Sequence, residues 1–230
     1  FDYPHAYLAD LPSKLTATGV GRGYRADEAA EQTPPPRKEV QLRAPLFEQG
    51  EKKLTPAEVG TAHHLFMQFC DFDAACAPNG VENELNRLAE KKILSTEQAY
   101  AVDKRKIERF FASDLYKTFM AENKVRREFK FSVLVPVQAY FPVAADAPEE
   151  NVLLQGVIDC LIETGDGFVI LDFKTDRIKK GGAVERAEQY RPQLAAYARA
   201  VHEIYGRPVR ACVLYFFHTG DTEWVSLDET

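Results

Sequence analysis

Two carboxylates and one ammonium group accompany a pair of short apolar stretches in the second half of the chain. Asp159 lies in the first stretch, and Asp172 and Lys174 lie near the end of the second. Two carboxylates brought together repel each other unless a cation lies between them. A hard divalent ion such as Mg²⁺ prefers oxygen ligands of this kind, and a neighbouring lysine could stabilise developing charge or position a water molecule. These residues therefore indicate metal-assisted chemistry.

The alternative is a structural ion pair of Lys174 with Asp172 or Asp159 at the edge of a sheet. An isolated Asp-x-Lys would favour that alternative. The surrounding elements decide whether the charged groups meet.

The two apolar stretches, 156–163 and 168–175, flank a Gly-Asp-Gly sequence and predict a β-hairpin. Side chains alternate between the faces of a strand, so Asp172 and Lys174 project to the same side. Pairing of the two strands then brings Asp159 close to both.

A second element that carries chemistry is a predicted helix that begins after Thr55. Thr55 is a suitable N-cap, and Glu58 completes a capping box. Gly60 lowers helix stability by about 1 kcal/mol relative to alanine, which predicts close packing at that point. His63 and His64 point to different faces of this helix. A lone helical histidine is most often a partly buried side chain without a ligand.

The order of these motifs resembles the nuclease motif of the PD-(D/E)XK superfamily, in the form found in RecB-like and AddA-type helicase–nucleases. The resemblance rests on four motifs, which are Gly60-Thr61-x-x-His64, Arg127-Glu128-x-x-Phe131, Gly156-x-x-Asp159 followed by Asp172-x-Lys174-Thr175, and Gln193-x-x-x-Tyr197. It covers most of the chain from Gly60 to Phe217.

The resemblance also implies roles for individual residues. The implied metal ligands are His64, Asp159, Asp172 and the backbone carbonyl of Phe173. The implied catalytic residues are Asp159, Asp172, Lys174 and Glu128. The residues implied to support the site or contact DNA are Thr175, Tyr190, Gln193 and Tyr197. For Glu128 the alternative of an exposed strand residue paired with Arg126 or Lys130 stays open.

The implied cofactor is Mg²⁺ or Mn²⁺, and a histidine ligand moves the preference somewhat towards Mn²⁺. Some relatives carry an iron–sulfur cluster on closely spaced cysteines. The four cysteines of this chain lie at 70, 76, 160 and 212, which is a different spacing, so we expect no cluster.

The implied fold is α/β, with a restriction-endonuclease-like core, a mixed central sheet flanked by helices, and a helical insertion over about 79–123. Around the hairpin, strands are predicted over 125–133, 135–141, 210–217 and 223–227, with the first two paired, and a long helix over 183–205. Pro192 predicts a kink in that helix or a start near Arg191.

The first 49 residues contain three consecutive prolines and little periodicity. We interpret 1–49 as an extended linker or arm from a preceding domain that is absent from the chain, and 50–230 as the nuclease domain. The chain contains no Gly-x-x-x-x-Gly-Lys-[Ser/Thr] motif, so it is not itself a helicase motor.

Composition sets further limits. The 230 residues carry 29 basic and 35 acidic side chains, for a formal net charge of −6, which counts mildly against tight DNA binding by the chain alone. No apolar run is long enough to span a membrane, and scattered cysteines suggest free thiols in a reducing compartment. We therefore expect a soluble cytoplasmic protein with no membrane partner.

The resemblance implies a metal-dependent DNA exonuclease domain of an ATP-dependent helicase–nuclease that acts in double-strand break repair and recombination. Its implied partners are DNA, an upstream helicase domain in the full-length chain and a second, AddB-like subunit. Two alternatives remain, a stand-alone RecB-like nuclease and a DNA-binding or scaffolding domain whose nuclease site is degenerate.

Overall fold

The computed structural model describes residues 11–20, 54–141 and 150–227. Within these ranges the strands are β1 (Lys14–Thr16), β2 (Lys124–Pro136), β3 (Asn151–Thr164), β4 (Gly167–Lys174), β5 (Val209–Phe216) and β6 (Asp221–Val225). The α-helices are α1 (Pro56–Phe69), α2 (Phe72–Cys76), α3 (Gly80–Glu90), α4 (Thr96–Ala101), α5 (Lys104–Ala112) and α6 (Ala183–Tyr205). A π-helical segment spans Leu115–Met120, and a 3₁₀ turn spans Val137–Ala139.

The strands form one mixed sheet in the order β2–β3–β4–β5–β6, and β1 pairs with the first half of β3. The β2–β3, β3–β4 and β5–β6 pairs are antiparallel, whereas β1–β3 and β4–β5 are parallel. The parallel β4–β5 pair needs a long crossover, which α6 provides. The predicted mixed α/β architecture is confirmed.

Helices cover both faces of the sheet and enclose two apolar clusters. On one face, α1 to α5 and the π-helical segment pack on residues such as Cys160 and Leu171, around a group of aromatic rings that includes Phe110. On the other face, α6 packs Leu194 and Val201 against the sheet. Because each face is covered, the central strands are apolar on both sides, and a charged residue in them stands out.

The hairpin is present as predicted, with Cys160 opposite Leu171 and Thr164 opposite Gly167. The capping box of Thr55 and Glu58 is also present at the start of α1. The helical insertion is confirmed between α2 and β2, although its last part is π-helical instead of α-helical.

Three details of the predicted elements are wrong. The segment 135–141 does not pair with the preceding strand, because β2 itself continues to Pro136 and pairs with β3 from one end to the other. The long helix spans Ala183–Tyr205 as predicted and includes Pro192 in its interior, so of the two alternatives for Pro192 the later start near Arg191 is wrong. The last strand begins two residues earlier than predicted, directly after the turn at Gly220, whose φ is +82°.

One strand was not predicted. β1 lies inside the segment that we interpreted as a linker or arm, and its Leu15 pairs with Leu154 and is buried. The other parts of that segment, 1–10 and 21–49, are outside the described residues. None of the helices in the described ranges has the combination of length and apolarity that crossing a bilayer requires.

Candidate active site

The alternation of side chains along β2 reverses at Glu128. Arg127 donates hydrogen bonds to backbone carbonyls at the end of α1, so it faces the side of the sheet that α1 to α5 cover. Phe129, two residues on, packs against a tyrosine of α6 on the opposite face. Residues two apart in a regular strand share a face. Glu128 causes the reversal because its φ is +50°, a left-handed conformation that costs a non-glycine residue roughly 1–3 kcal/mol.

The same reversal occurs on the neighbouring strand at Asp159. Ile158 packs in the cluster under α6, whereas Cys160 packs in the cluster under α1 to α5. The pairs on either side of Asp159, Arg127 with Cys160 and Phe129 with Ile158, keep the register unchanged. Glu128 and Asp159 therefore lie opposite each other where both strands change face, in the middle of the sheet.

The β3–β4 ladder ends at this same level. Its last pair joins Cys160 and Leu171, and beyond it the backbone N–H of Phe173 donates to Asp159 Oδ2 over 2.7 Å. A side-chain carboxylate thus takes the place of a strand carbonyl. This bond fixes Oδ2 of Asp159. The other oxygen, Oδ1, is directed to α1 and lies 3.4 Å from His64 Nδ1.

Helix α1 carries His64 to this place because it packs closely on the end of β4. A Cβ atom at Gly60 would approach Thr175 Oγ1 to 2.8 Å, so the close packing predicted at this glycine is present. His63 is buried on another face, where Nδ1 contacts the carbonyl of Val59 and Nε2 accepts from the N–H of Asp103. Both ring nitrogens of His63 are thus in use, and His64 is the histidine that faces the carboxylates.

Asp172 and Lys174 project from β4 to the α6 face, as their spacing predicts. Lys174 Nζ lies 2.6 Å from Asp172 Oδ2 and donates to Gln193 Oε1 over 3.2 Å. Gln193 Nε2 lies 3.4 Å from Asp172 Oδ1 and donates to the Tyr197 hydroxyl over 2.7 Å. One buried amide thus connects the acid, the lysine and the tyrosine.

Burial raises the pKa of Asp172 above its usual value, and the charge of Asp159 raises it further, against the opposing effects of Lys174 and His64. Burial and the charge of Asp172 likewise hold the pKa of Tyr197 well above its ordinary range. Tyr197 therefore stays a neutral phenol. The site thus holds an excess of negative charge in a poorly solvated place.

Glu128 belongs to the same electrostatic group. Burial raises the pKa of its carboxyl, as does the negative charge of Asp159, while His64 and Lys130 act in the opposite direction. Within the described ranges, Glu128 forms no ion pair with Arg126, which instead contacts Glu163 and the Tyr205 hydroxyl.

The donor set suits a divalent cation. It offers two carboxylates and one imidazole, and Asp172 Oδ2 is buried with no hydrogen bond of regular geometry within the described residues, although the Lys174 ammonium is near. A buried carboxylate oxygen of this kind needs a cationic partner, which is Lys174 in this structure and which a bound metal ion would also supply. Among the same residues, no group of three or more acidic, histidine or cysteine side chains stands in ligand geometry. His64 pairs with Asp159, and Lys174 pairs with Asp172.

The remaining predicted residues lie beside this cluster. The ring of Tyr190 lies beneath the Lys174 ammonium, with 3.9 Å from Nζ to the ring centroid. The Tyr190 hydroxyl donates to Asp176, which also accepts from Arg186. Sequence reasoning missed Asp176 and Arg186. The available signal was an acid two residues after Lys174 and an Arg-x-x-x-Tyr spacing that places Arg186 and Tyr190 on one helix face.

The His64–Asp159 pair predicts a pH-dependent contribution to stability. Burial disfavours the imidazolium, but the hydrogen bond and charge of Asp159 outweigh it, so the pKa of His64 is raised above 6.5. A raised pKa in the folded state stabilises the fold below the unfolded value of about 6.5, and this stabilisation disappears as pH rises through the folded pKa. In EDTA, His64→Gln should therefore be less stable to urea than the unchanged chain at about pH 5.5, and the difference should shrink towards about pH 8.5.

The matched control is His218→Gln, which removes an exposed imidazole. It should show no comparable dependence on pH. A His64→Gln difference that stays constant between the two pH values would contradict the assigned ion pair.

Comparison with known proteins gives consistent matches. The model of the PD-(D/E)XK nuclease superfamily matches residues 37–226. An ATP-dependent helicase/nuclease subunit from Desulforamulus reducens is 38% identical over 96% of this chain and 18% of its own length. The subunits of the same name from Moorella thermoacetica and Desulforudis audaxviator are 40% and 35% identical over 95% and 96% of this chain, and over 15% and 18% of their own lengths. The chain thus spans less than a fifth of these relatives.

Among solved structures, the crystal structure of SSO0001 aligns with 77% of this chain and 68% of its own, with a TM-score of 0.33 and 12% identity.

Proposed function

The chain belongs to the PD-(D/E)XK nuclease superfamily, and on that basis we propose that it hydrolyses DNA phosphodiester bonds with Mg²⁺ or Mn²⁺, as the nuclease domain of an ATP-dependent helicase–nuclease. The family match supports the hydrolytic chemistry. The names of the relatives support the setting, because each is a subunit of an ATP-dependent helicase/nuclease.

One observation carries the proposal. Where β3 and β4 separate, the charge of Asp159 acts on Asp172; His64 Nδ1 lies 3.4 Å from Asp159 Oδ1, and Lys174 Nζ lies 2.6 Å from Asp172 Oδ2. A structural ion pair would need only one acid and one base. It would not explain a second acid, a histidine from a helix on the other face and a strained glutamate at the same level.

Each residue has a definite task in this chemistry. Asp159, Asp172 and His64 would hold the cation, which when bound polarises a phosphoryl oxygen and lowers the pKa of a coordinated water. Lys174 would orient the attacking water or offset the negative charge that develops on the phosphate. Gln193 contacts both Lys174 and Asp172, so both enter the reaction already oriented. Glu128 adds a further acid beside Asp159.

We also propose partners, a cellular location and a cellular role for the chain. We propose that the partners are an upstream helicase domain and a second, AddB-like subunit, because the chain spans only 15–18% of the relatives' length. We propose a cytoplasmic location, which the free thiols Cys70, Cys76, Cys160 and Cys212 support. We also propose a role in double-strand break repair and recombination, which the similarity to helicase/nuclease subunits supports.

The test is a cleavage assay with end-labelled linear DNA and covalently closed circular DNA. An exonuclease should release nucleotides from the linear DNA with Mg²⁺ or Mn²⁺, release none in EDTA, and leave the closed circle intact. Calorimetric titration with Mn²⁺ should show binding that Asp159→Asn removes. Absence of both cleavage and Asp159-dependent binding would contradict the proposal and favour a degenerate DNA-binding domain.

A further inference from the structure

The Lys174 ammonium is enclosed on three sides. Asp172 Oδ2 lies 2.6 Å from Nζ, and Gln193 Oε1 accepts from Nζ over 3.2 Å. The third side is the ring face of Tyr190, with its centroid 3.9 Å from Nζ. A cation this close to an aromatic face is attracted by the negative potential of the ring, more strongly where water is excluded. The side chain of Lys174 is only 12% exposed, so the ring is a substantial part of its surroundings.

The ring of Tyr190 is itself held from its far end. Its hydroxyl donates to Asp176 Oδ2, and the same oxygen accepts from Arg186 Nε over 3.1 Å. Arg186 also reaches the Tyr190 hydroxyl, over 3.3 Å. Burial opposes ionisation of Asp176, but the hydrogen bonds from Tyr190 and Arg186 leave its pKa below the usual value. Asp176 is therefore a carboxylate that accepts the phenol proton in a hydrogen bond.

Burial, followed by the hydrogen bond to Asp176, raises the pKa of Tyr190 to about 12. The phenol therefore remains a donor throughout the neutral range. Asp176 lies just beyond the end of β4, whereas Arg186 and Tyr190 lie in the first turns of α6. The three side chains thus join the end of the catalytic strand to the helix that carries Gln193.

We propose that Asp176 is a positioning residue, which with Arg186 anchors the Tyr190 phenol so that the ring holds the Lys174 ammonium beside Asp172. Asp176 itself acts only through Tyr190. Its effect should fall on the turnover step, because the half-buried hydroxyl–carboxylate bond acts on the position of the Lys174 ammonium. The proposal rests on the proposed function for its kinetic consequence, but the position of Lys174 can be measured without any reaction.

The first test is NMR of the chain with ¹³C-labelled lysine, without metal or DNA. Protons held above an aromatic face are shielded by the ring current, so the Lys174 Hε signals should lie upfield of those of exposed lysines. Lys174→Arg assigns them by their disappearance. Asp176→Ala should return these signals to the range of exposed lysines. The control Asp114→Ala, which removes the same charge from an exposed residue, should leave them in place.

The second test is a double-mutant cycle on cleavage of the same end-labelled linear DNA with Mg²⁺. Asp176→Ala and Tyr190→Phe should each lower kcat about tenfold, with KM changed less than about twofold, because each removes one end of the same bond. The double variant should be no slower than either single variant. Additive losses would show that Asp176 acts by another route and would overturn the proposal.

The two tests separate the possible failures. If the unchanged chain cleaves no DNA, the proposed function fails, and the NMR signals still decide the position of Lys174. If the chain cleaves DNA but the Lys174 signals are unshifted, or are unaffected by Asp176→Ala, the inference fails alone.

Discussion

Asp172→Asn should lower metal-dependent DNA cleavage by about a thousandfold or more. Asp172 is 4% exposed, and its Oδ2 accepts no regular hydrogen bond among the described residues. The ion pair with Lys174 is therefore the structural role that its negative charge has in this part of the chain. The amide keeps the shape of the side chain but removes one of the two anionic groups that would hold the cation. The measurement is the initial rate of nucleotide release from linear DNA at saturating Mg²⁺.

The matched control is Asp166→Asn, the same chemical change in the exposed turn of the same hairpin. It should keep the cleavage rate of the unchanged chain within about twofold, since a surface ion pair such as that of Asp166 with Arg210 contributes little. Circular dichroism should show cooperative unfolding for both variants. Undiminished cleavage by Asp172→Asn would contradict the assignment of the site.

Lys174→Met should lower cleavage by about a hundredfold or more and also destabilise the fold. The loss of rate follows from the missing positive charge beside the phosphate. The loss of stability follows because the substitution leaves Asp172 buried without its ion-pair partner, an effect of about 3–5 kcal/mol in the free energy of unfolding. Urea unfolding in EDTA measures it.

The pH dependence of that deficit has a definite sign. Burial already raises the pKa of Asp172, and removal of the Lys174 charge, which lowers it, raises it further. The folded variant therefore takes up a proton more readily than the unfolded chain, and the deficit should shrink as pH falls. Lys117→Met, at an exposed position, should alter neither rate nor stability appreciably. Normal stability of Lys174→Met at neutral pH would show that the ion pair has been assigned wrongly.

Local patterns were sufficient to predict the elements that carry the site. The Gly-Asp-Gly turn and its apolar flanks determine the hairpin, and the alternation within one strand places Asp172 and Lys174 on one side. Thr55 and Glu58 mark the start of α1 through contacts only three residues apart. Such signals depend on near neighbours, so a single sequence contains them.

The details that depend on distant contacts could not be predicted. The left-handed conformation of Glu128 is unfavourable for the residue itself and persists because the pairing with β3 and the packing on both faces enforce it. The Arg-x-x-x-Tyr spacing places Arg186 and Tyr190 on one face of α6. Their contact with Asp176 joins that helix to the end of β4 across a loop, so the spacing alone does not show it. The pairing of β2 with β3 over its whole length is beyond local patterns for the same reason, because strand pairing is set by the whole sheet.

The proposed function depends on the joint binding of one divalent cation by His64, Asp159 and Asp172. Its most direct test is a crystal of the chain soaked in Mn²⁺, with diffraction data collected to record the anomalous signal of manganese. We expect one strong anomalous peak between the two carboxylates. Carboxylate oxygens and a His64 nitrogen should lie about 2.2 Å from the manganese ion. A map with no peak there, with Lys174 still 2.6 Å from Asp172 and His64 still paired with Asp159, would contradict it.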